Sequence, residues 1–237
     1  NGVDYEEWNP ATDKLIPANY SIDDLKGKSV CRRRLLTEFN LKLGAKAPLV
    51  GMISRLDEQK GFDALLEAMP ELIGLDIALV ILAFGEKKYR ESLEGLQSLY
   101  PERLSVKIAM DKRLAHLIEA GADMFLMPSR YEPCGMNQMY SLKYGTVPVV
   151  RAVGGLEDTI KDAPVEEGGT GFKFKDYSAA ALTETVKRAV GLFKDKKLWL
   201  ALVKNGMKED FSWENSAKRY VEVCNAALKS RFKPGRK

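Results

Sequence analysis

The chain has 237 residues, 45% hydrophobic and 30% charged, the balance of a globular protein with a full core, which excludes a fibrous or low-complexity chain. Lysine and arginine outnumber aspartate and glutamate 37 to 33, and a net charge of +4 suits an anionic ligand but is too small to make nucleic acid a partner. No apolar run is long enough to span a membrane and no signal peptide is visible, so no membrane partner is expected either.

The first forty-odd residues carry turn signals at Asn1-Gly2 and Asn9-Pro10, and Ser21–Asp24 offers caps for a short helix. They read as a segment packed on the domain that follows. The run Cys31-Arg32-Arg33-Arg34, beside Leu35, Leu36 and Phe39, reads as a solvated helix face. From Pro48 onward apolar runs alternate with amphipathic segments. Strands are expected at Pro48–Ile53, Ile77–Phe84, Leu104–Ala109, Met124–Met127, Val147–Val150 and Gly171–Phe174. Helices are expected at Gly61–Leu72 and Lys87–Leu99, through Leu114, Leu117 and Ile118, and from Met136 to Gly145. Three more close the chain: Ala179–Phe193, Leu198–Met207 and Trp213–Leu228.

Strands that are apolar almost throughout are buried on both faces, which predicts an α/β fold with a Rossmann-like parallel sheet flanked by helices. Ligands of such sheets bind beyond the carboxyl ends of the strands, where Arg55, Gly85, Met110, Ser129 and Val153 fall.

Tyr131-Glu-Pro-Cys-Gly-Met-Asn-Gln138 joins a carboxylate to a glycine-bearing turn and a helix start. Glu132 is suited to hold sugar hydroxyls, and the N–H groups around Gly135 to Asn137 to hold a phosphate. Ser54-Arg-Leu-Asp-Glu-Gln-Lys-Gly61 sets two cations at a strand end and a helix start. Together the segments read as two sides of a sugar-nucleotide site, with Arg55 and Lys60 stabilising charge on a departing phosphate. By spacing alone, the two cations fit equally well as surface ion-pair partners of Asp57 and Glu58.

No Asp-x-Asp occurs and there is one histidine, so no metal or other cofactor is expected. His116 reads as structural. Cys134 reads as a small buried thiol in a tight turn, since nothing places His116 beside it as a base. Gly154-Gly155 is either a backbone approach to ligand or a plain strand-to-helix turn. Three cysteines, Cys31, Cys134 and Cys224, build neither a metal spacing nor a disulfide framework, which suggests a reducing intracellular setting. The chain begins with Asn1 rather than Met, so a piece of a longer protein is expected.

Several motifs in order resemble the bacterial glycogen and plant starch synthases: Ser54–Gly61, Pro128–Gly135, Leu142–Pro148, Gly154–Thr159 and Asp210–Trp213, with Asn1–Asp4 and Trp8–Pro10 similar to the segment opening their C-terminal domain. The resemblance covers essentially the whole chain. It implies a retaining GT-B glycosyltransferase adding glucose from ADP-glucose to the non-reducing 4-hydroxyl of an α-1,4-glucan. It implies Arg55, Lys60 and Glu132 as catalytic residues, the first two on the diphosphate and the third on glucose. Nucleotide-sugar contacts are implied at Gly85, Met110, Tyr131, Cys134, Gly135, Met136 and Asn137. Met110 stands where the family has an aromatic on adenine. Relatives using sucrose or other donors carry a second glutamate eight residues after the first; Tyr140 stands there, which favours the glycogen and starch branch.

The resemblance divides the C-terminal nucleotide-sugar domain into an opening segment (1–45), an α/β core (46–210), and a C-terminal helix and tail (211–237). The N-terminal GT-B domain, which makes most acceptor contacts, has no match here. The expected partners are ADP-glucose or ADP and, through that other domain, the glucan. The expected location is the bacterial cytoplasm, with a plastid as the alternative. Two other readings are a GT-B transferase with a different donor and a non-catalytic nucleotide- or glucan-binding module.

Overall fold

The computed structural model describes residues 1–44 and 46–231. Residue 45, at the end of the expected opening segment, and the tail 232–237 lie outside the described residues. The elements in chain order begin with α1 (Lys26–Glu38), β1 (Leu49–Leu56), a 3-10 turn (Glu58–Lys60), α2 (Phe62–Ile73), β2 (Ala78–Gly85) and α3 (Lys87–Leu99). They continue with β3 (Leu104–Ile108), α4 (Lys112–Gly121), β4 (Met124–Met127), α5 (Asn137–Lys143), β5 (Val147–Arg151), α6 (Gly155–Thr159) and β6 (Phe172–Phe174). The last three helices are α7 (Ala179–Phe193), α8 (Lys196–Lys208) and α9 (Trp213–Arg231).

The six strands form one sheet in the order β3-β2-β1-β4-β5-β6, and every neighbouring pair is parallel. Side chains alternate between the two faces. Val50, Met52, Leu79, Ile81, Met124 and Leu126 pack with α2, α7 and α8 on one face. Leu49, Val80, Leu82 and Phe125 pack with α1 and α4 on the other. Burial on both faces explains why these strands read as continuous apolar runs. The strand order reverses between β1 and β4, opening a crevice at their carboxyl ends where ligands of such sheets bind.

The opening segment is built into this frame through α1. The ammonium of Lys28 donates to the carbonyls of Ala120 (3.1 Å) and Tyr144 (3.1 Å), the C-terminal ends of α4 and α5, and to Thr146 Oγ1 at 2.7 Å. The Tyr20 hydroxyl donates to the same two carbonyls. A cation and a hydroxyl thus satisfy helix-end carbonyls that have no partner of their own. The solvated-face reading of the basic run needs a correction at Arg32. Its guanidinium sits 3.0 Å from Asp123 and donates to the Ala47 carbonyl at 2.8 Å, because α1 lies against the α4–β4 junction.

Glu119 of α4 is fully buried, with Oε2 accepting from Ser141 and Oε1 without a partner among the described residues. Burial raises its pKa from 4.5 to about 8, and burial lowers that of Lys28 from 10.5 to about 8. Between pH 4.5 and 8 the unfolded chain has released the Glu119 proton that the folded chain keeps, so this group's contribution to stability falls as pH rises. The slope is at most about 1.4 kcal/mol per pH unit. Lys28 acts with the opposite sign from pH 8 to 10.5, where only the unfolded chain still holds its proton. Glu119→Gln, which mimics the protonated acid, is expected to flatten the decline of the melting temperature between pH 5 and 8. A variant whose profile parallels the wild type over that range would show that Glu119 ionises normally in the fold.

Candidate nucleotide-sugar site

The crevice is a cleft of about 610 Å³ at the carboxyl ends of β1, β2 and β4. Its cationic side begins on β1. Arg55, half exposed, lies 3.2 Å from Asp57 and donates to Gln59 Oε1 at 3.4 Å. Asp57 caps the following 3-10 turn by accepting the Lys60 N–H at 3.1 Å. Gly61 closes the turn at φ 75°, where a β-carbon would strike the Pro128 carbonyl, so the chain passes directly against the end of β4.

That approach delivers Lys60 to Glu132. The Lys60 ammonium is 2.6 Å from Glu132 Oε2, which also accepts from Ser129 Oγ at 3.1 Å. The lysine side chain is 19% exposed and the glutamate 6%. Of the two surface pairings that spacing allows, Arg55 forms its pair with Asp57, whereas Lys60 turns inward to a carboxylate 72 residues away. Gln59 straps the halves together: its amide donates to the Tyr131 carbonyl at 3.2 Å and its own carbonyl accepts the Arg130 N–H at 2.8 Å. Arg130 is held by Asp63 at 2.9 Å and Glu58 at 3.3 Å, and stacks on Tyr177.

Beneath the Glu132 turn, Gly154 and Gly155 answer the question the sequence left open. The Gly155 N–H donates to the Glu132 carbonyl at 3.0 Å, and β-carbons on the two glycines would collide with the carbonyls of Glu132 and Cys134. The pair lets the β5–α6 turn support the Glu132 loop; neither glycine lines the cleft. On its other flank, Asn137 anchors α5 to β1 by donating to the Ile53 carbonyl at 3.1 Å. Among the described residues the N–H groups of Gly135, Met136 and Asn137 donate to no protein acceptor. They line the cleft as free donors for an anion.

The opposite end, beyond β2 and β3, is apolar. Phe84, Leu82, Ala115 and Met110 form it, with Met110 80% exposed at the mouth. Asp111 caps α4, and Lys112 on the same wall pairs at 2.9 Å with Glu7 of the opening segment. Charged donors at one end and an apolar slot at the other suit a flat base joined to an anionic, hydroxyl-bearing group. Among the described residues no three His, Cys, Asp or Glu side chains group to hold a metal ion.

The fold gathers Arg55, Lys60, Glu132, Met110, Gly135, Met136 and Asn137 around one cleft. Gly85, Tyr131 and Cys134 stand apart from it. Gly85 packs on the Leu56 backbone at the end of β2, and the exposed Tyr131 contributes its carbonyl to the Gln59 strap. Cys134, expected to be buried, is half-buried: it faces a second cleft beside Asp158 and Thr159, where the Asn1 amide donates to its sulfur at 3.3 Å. His116 is buried, 2.8 Å from Asp13 and stacked on Trp8, packed against the opening segment. Sequence reasoning missed Gln59 and Phe84. Phe84 carried a signal, since it stands beside Gly85 at a strand end.

A six-stranded parallel sheet with this cleft at its switch point is an architecture that binds nucleotide-type ligands, and the match to a known family identifies its class as a glycosyltransferase domain. The family description "Glycosyl transferases group 1" matches residues 36–208, and the chain belongs to that family. It is 50% identical over 232 residues to the glycogen synthase of Koribacter versatilis, covering 98% of this chain and 48% of that protein. With the glycogen synthase of an Anaeromyxobacter species the identity is also 50%, over 220 residues, 93% of this chain and 46% of the relative. Among solved structures, the catalytic domain of starch synthase IV from Arabidopsis thaliana, bound to ADP and acarbose, superposes with a TM-score of 0.89 at 32% identity. That match covers 97% of this chain and 48% of the other. The fold is therefore of the GT-B glycosyltransferase kind, and the chain spans about half the length of the curated relatives it matches.

Proposed function

We propose that this chain is the donor half of a glycogen- or starch-type synthase, binding ADP-glucose for transfer of glucose to the non-reducing 4-hydroxyl of an α-1,4-glucan with retention. The observation that carries the reading is the convergence of Arg55, Lys60 and the free N–H groups of 135–137 around Glu132 at the strand switch point. The glycogen synthase names of the relatives, and the ADP bound by starch synthase IV, support the nucleotide and the glucan. In this reading Arg55 and Lys60 take the charge that develops on the departing phosphate, with no metal. Glu132 holds glucose hydroxyls, and Phe84 and Met110 bracket the base.

The acceptor belongs to a second half joined to residues 1–237. Trp213, Tyr220, Val221 and Leu228 of α9 are exposed large side chains at helical spacing, suited to pack on such a partner. Transfer then needs both halves closed over the donor. The chain alone binds nucleotide and does not turn over.

Calorimetric titration of the chain with ADP beside UDP tests this. Binding of ADP in preference to UDP is expected. A preference for UDP would move the chain to a transferase with another donor, and binding of neither by a folded sample would overturn a preformed donor site.

A further inference from the structure

Arg55 and Lys60, the two cations that the Ser54–Gly61 segment brings to the cleft, are held in unlike ways; the third lining cation, Lys112, is paired with Glu7 at the apolar end. Arg55 is tethered to Asp57 at a half-exposed position, where solvent screens the pair and an incoming phosphate displaces the carboxylate at little cost. Lys60 is in contact with Glu132, at 2.6 Å, with both side chains largely out of water. An ammonium already matched by a carboxylate presents little net field to a phosphate, because the phosphate meets the carboxylate's repulsion across almost the same distance. Drawing Lys60 onto a phosphate also strips Glu132 of its counter-ion. That leaves a nearly buried carboxylate with only the Ser129 hydroxyl.

We infer that the Lys60–Glu132 ion pair discriminates between ligands, resisting a bare nucleoside diphosphate and yielding to an intact nucleotide sugar. This rests on the nucleotide-sugar reading above and names what that site selects. A sugar attached to the diphosphate brings hydroxyl donors to Glu132 as Lys60 turns to the phosphate, so the exchange leaves no charge unpaired. Among the described residues Glu132 Oε1 accepts no hydrogen bond, so an acceptor for the first hydroxyl stands ready before the pair parts. A bare diphosphate brings no such donor. The same asymmetry acts after transfer. Once the sugar has left, Glu132 reclaims Lys60, and the nucleotide loses one of its two cations, which speeds its departure.

Titration of the wild type and Glu132→Gln with ADP and with ADP-glucose, at one ionic strength, tests the inference. Removing the negative charge frees Lys60, so E132Q is expected to bind ADP at least about tenfold tighter. ADP-glucose, which loses its contact to the carboxylate, is expected to bind E132Q no tighter than the wild type, so the preference for the sugar-bearing ligand shrinks. If E132Q does not keep the wild-type thermal transition, Glu132→Met, apolar and of similar length, carries the same expectation. ADP binding that is abolished by Arg55→Ala yet no tighter in E132Q would preserve the nucleotide site and overturn the discriminator. Absence of any binding by the folded wild type would overturn the nucleotide-sugar reading and the inference with it.

Discussion

Arg55→Ala is expected to leave the fold intact, weaken ADP binding beyond calorimetric detection, and, in the chain joined to its proposed second half, slow glucosyl transfer about a hundredfold to a thousandfold. The separation of effects follows from where the side chain stands. In the folded chain Arg55 is 58% exposed and makes one ion pair and one long hydrogen bond, contacts worth about 0–1 kcal/mol at such a site. Its functional share is larger. Unlike Lys60, it can swing onto a diphosphate without uncovering a buried carboxylate, and its planar fork grips two phosphate oxygens at once. Arg55→Lys keeps the charge and loses the fork, so an intermediate loss is expected. Unchanged thermal unfolding with lost ADP heat would support the assignment. An Arg55→Ala chain that binds ADP as the wild type does would remove Arg55 from the site.

The sheet was legible in the sequence for a definite reason. Strands covered on both faces must be apolar at every position, and runs such as Ala78–Leu82 are buried throughout. The rim was legible too, since charged residues break those runs at their carboxyl ends. What the sequence did not disclose is pairing across the switch point. Lys60 follows the first strand and Glu132 the fourth, and only the placement of β4 beside β1 brings them into contact. The same holds for Arg32 and Asp123, separated by 91 positions, so a basic run that looked solvated hides one structural arginine. The opening segment was hardest to read. In α1 the buried Cys31 and Leu35 are separated by three arginines, one of which, Arg32, finds its partner Asp123 far along the chain, and this blurs the helical period.

Gly155→Ala is expected to destabilise the chain by about 3 kcal/mol or more, whereas Gly95→Ala is expected to stabilise it by about 0.4–1 kcal/mol. The substitution is the same, and the surroundings decide the sign. A β-carbon at Gly95, on an exposed part of α3, meets nothing within 4 Å, so alanine only restricts the unfolded chain and improves helix propensity. At Gly155 the new carbon would enter the backbone of Cys134, which has no rotamer to yield with. Relief requires the turn carrying Glu132 to rise, because the Gly155 N–H holds the Glu132 carbonyl at 3.0 Å. Movement of that carbonyl carries the carboxylate away from Lys60, so stability and nucleotide-sugar binding should fall together. Denaturant midpoints for the two variants, with ADP-glucose titration of Gly155→Ala, check the pair. A Gly155→Ala chain with wild-type midpoint and affinity would mean that the glycine pair does not support the Glu132 loop. Loss of stability with unchanged affinity would confine the glycines to the fold and separate the loop's support from the chemistry it presents.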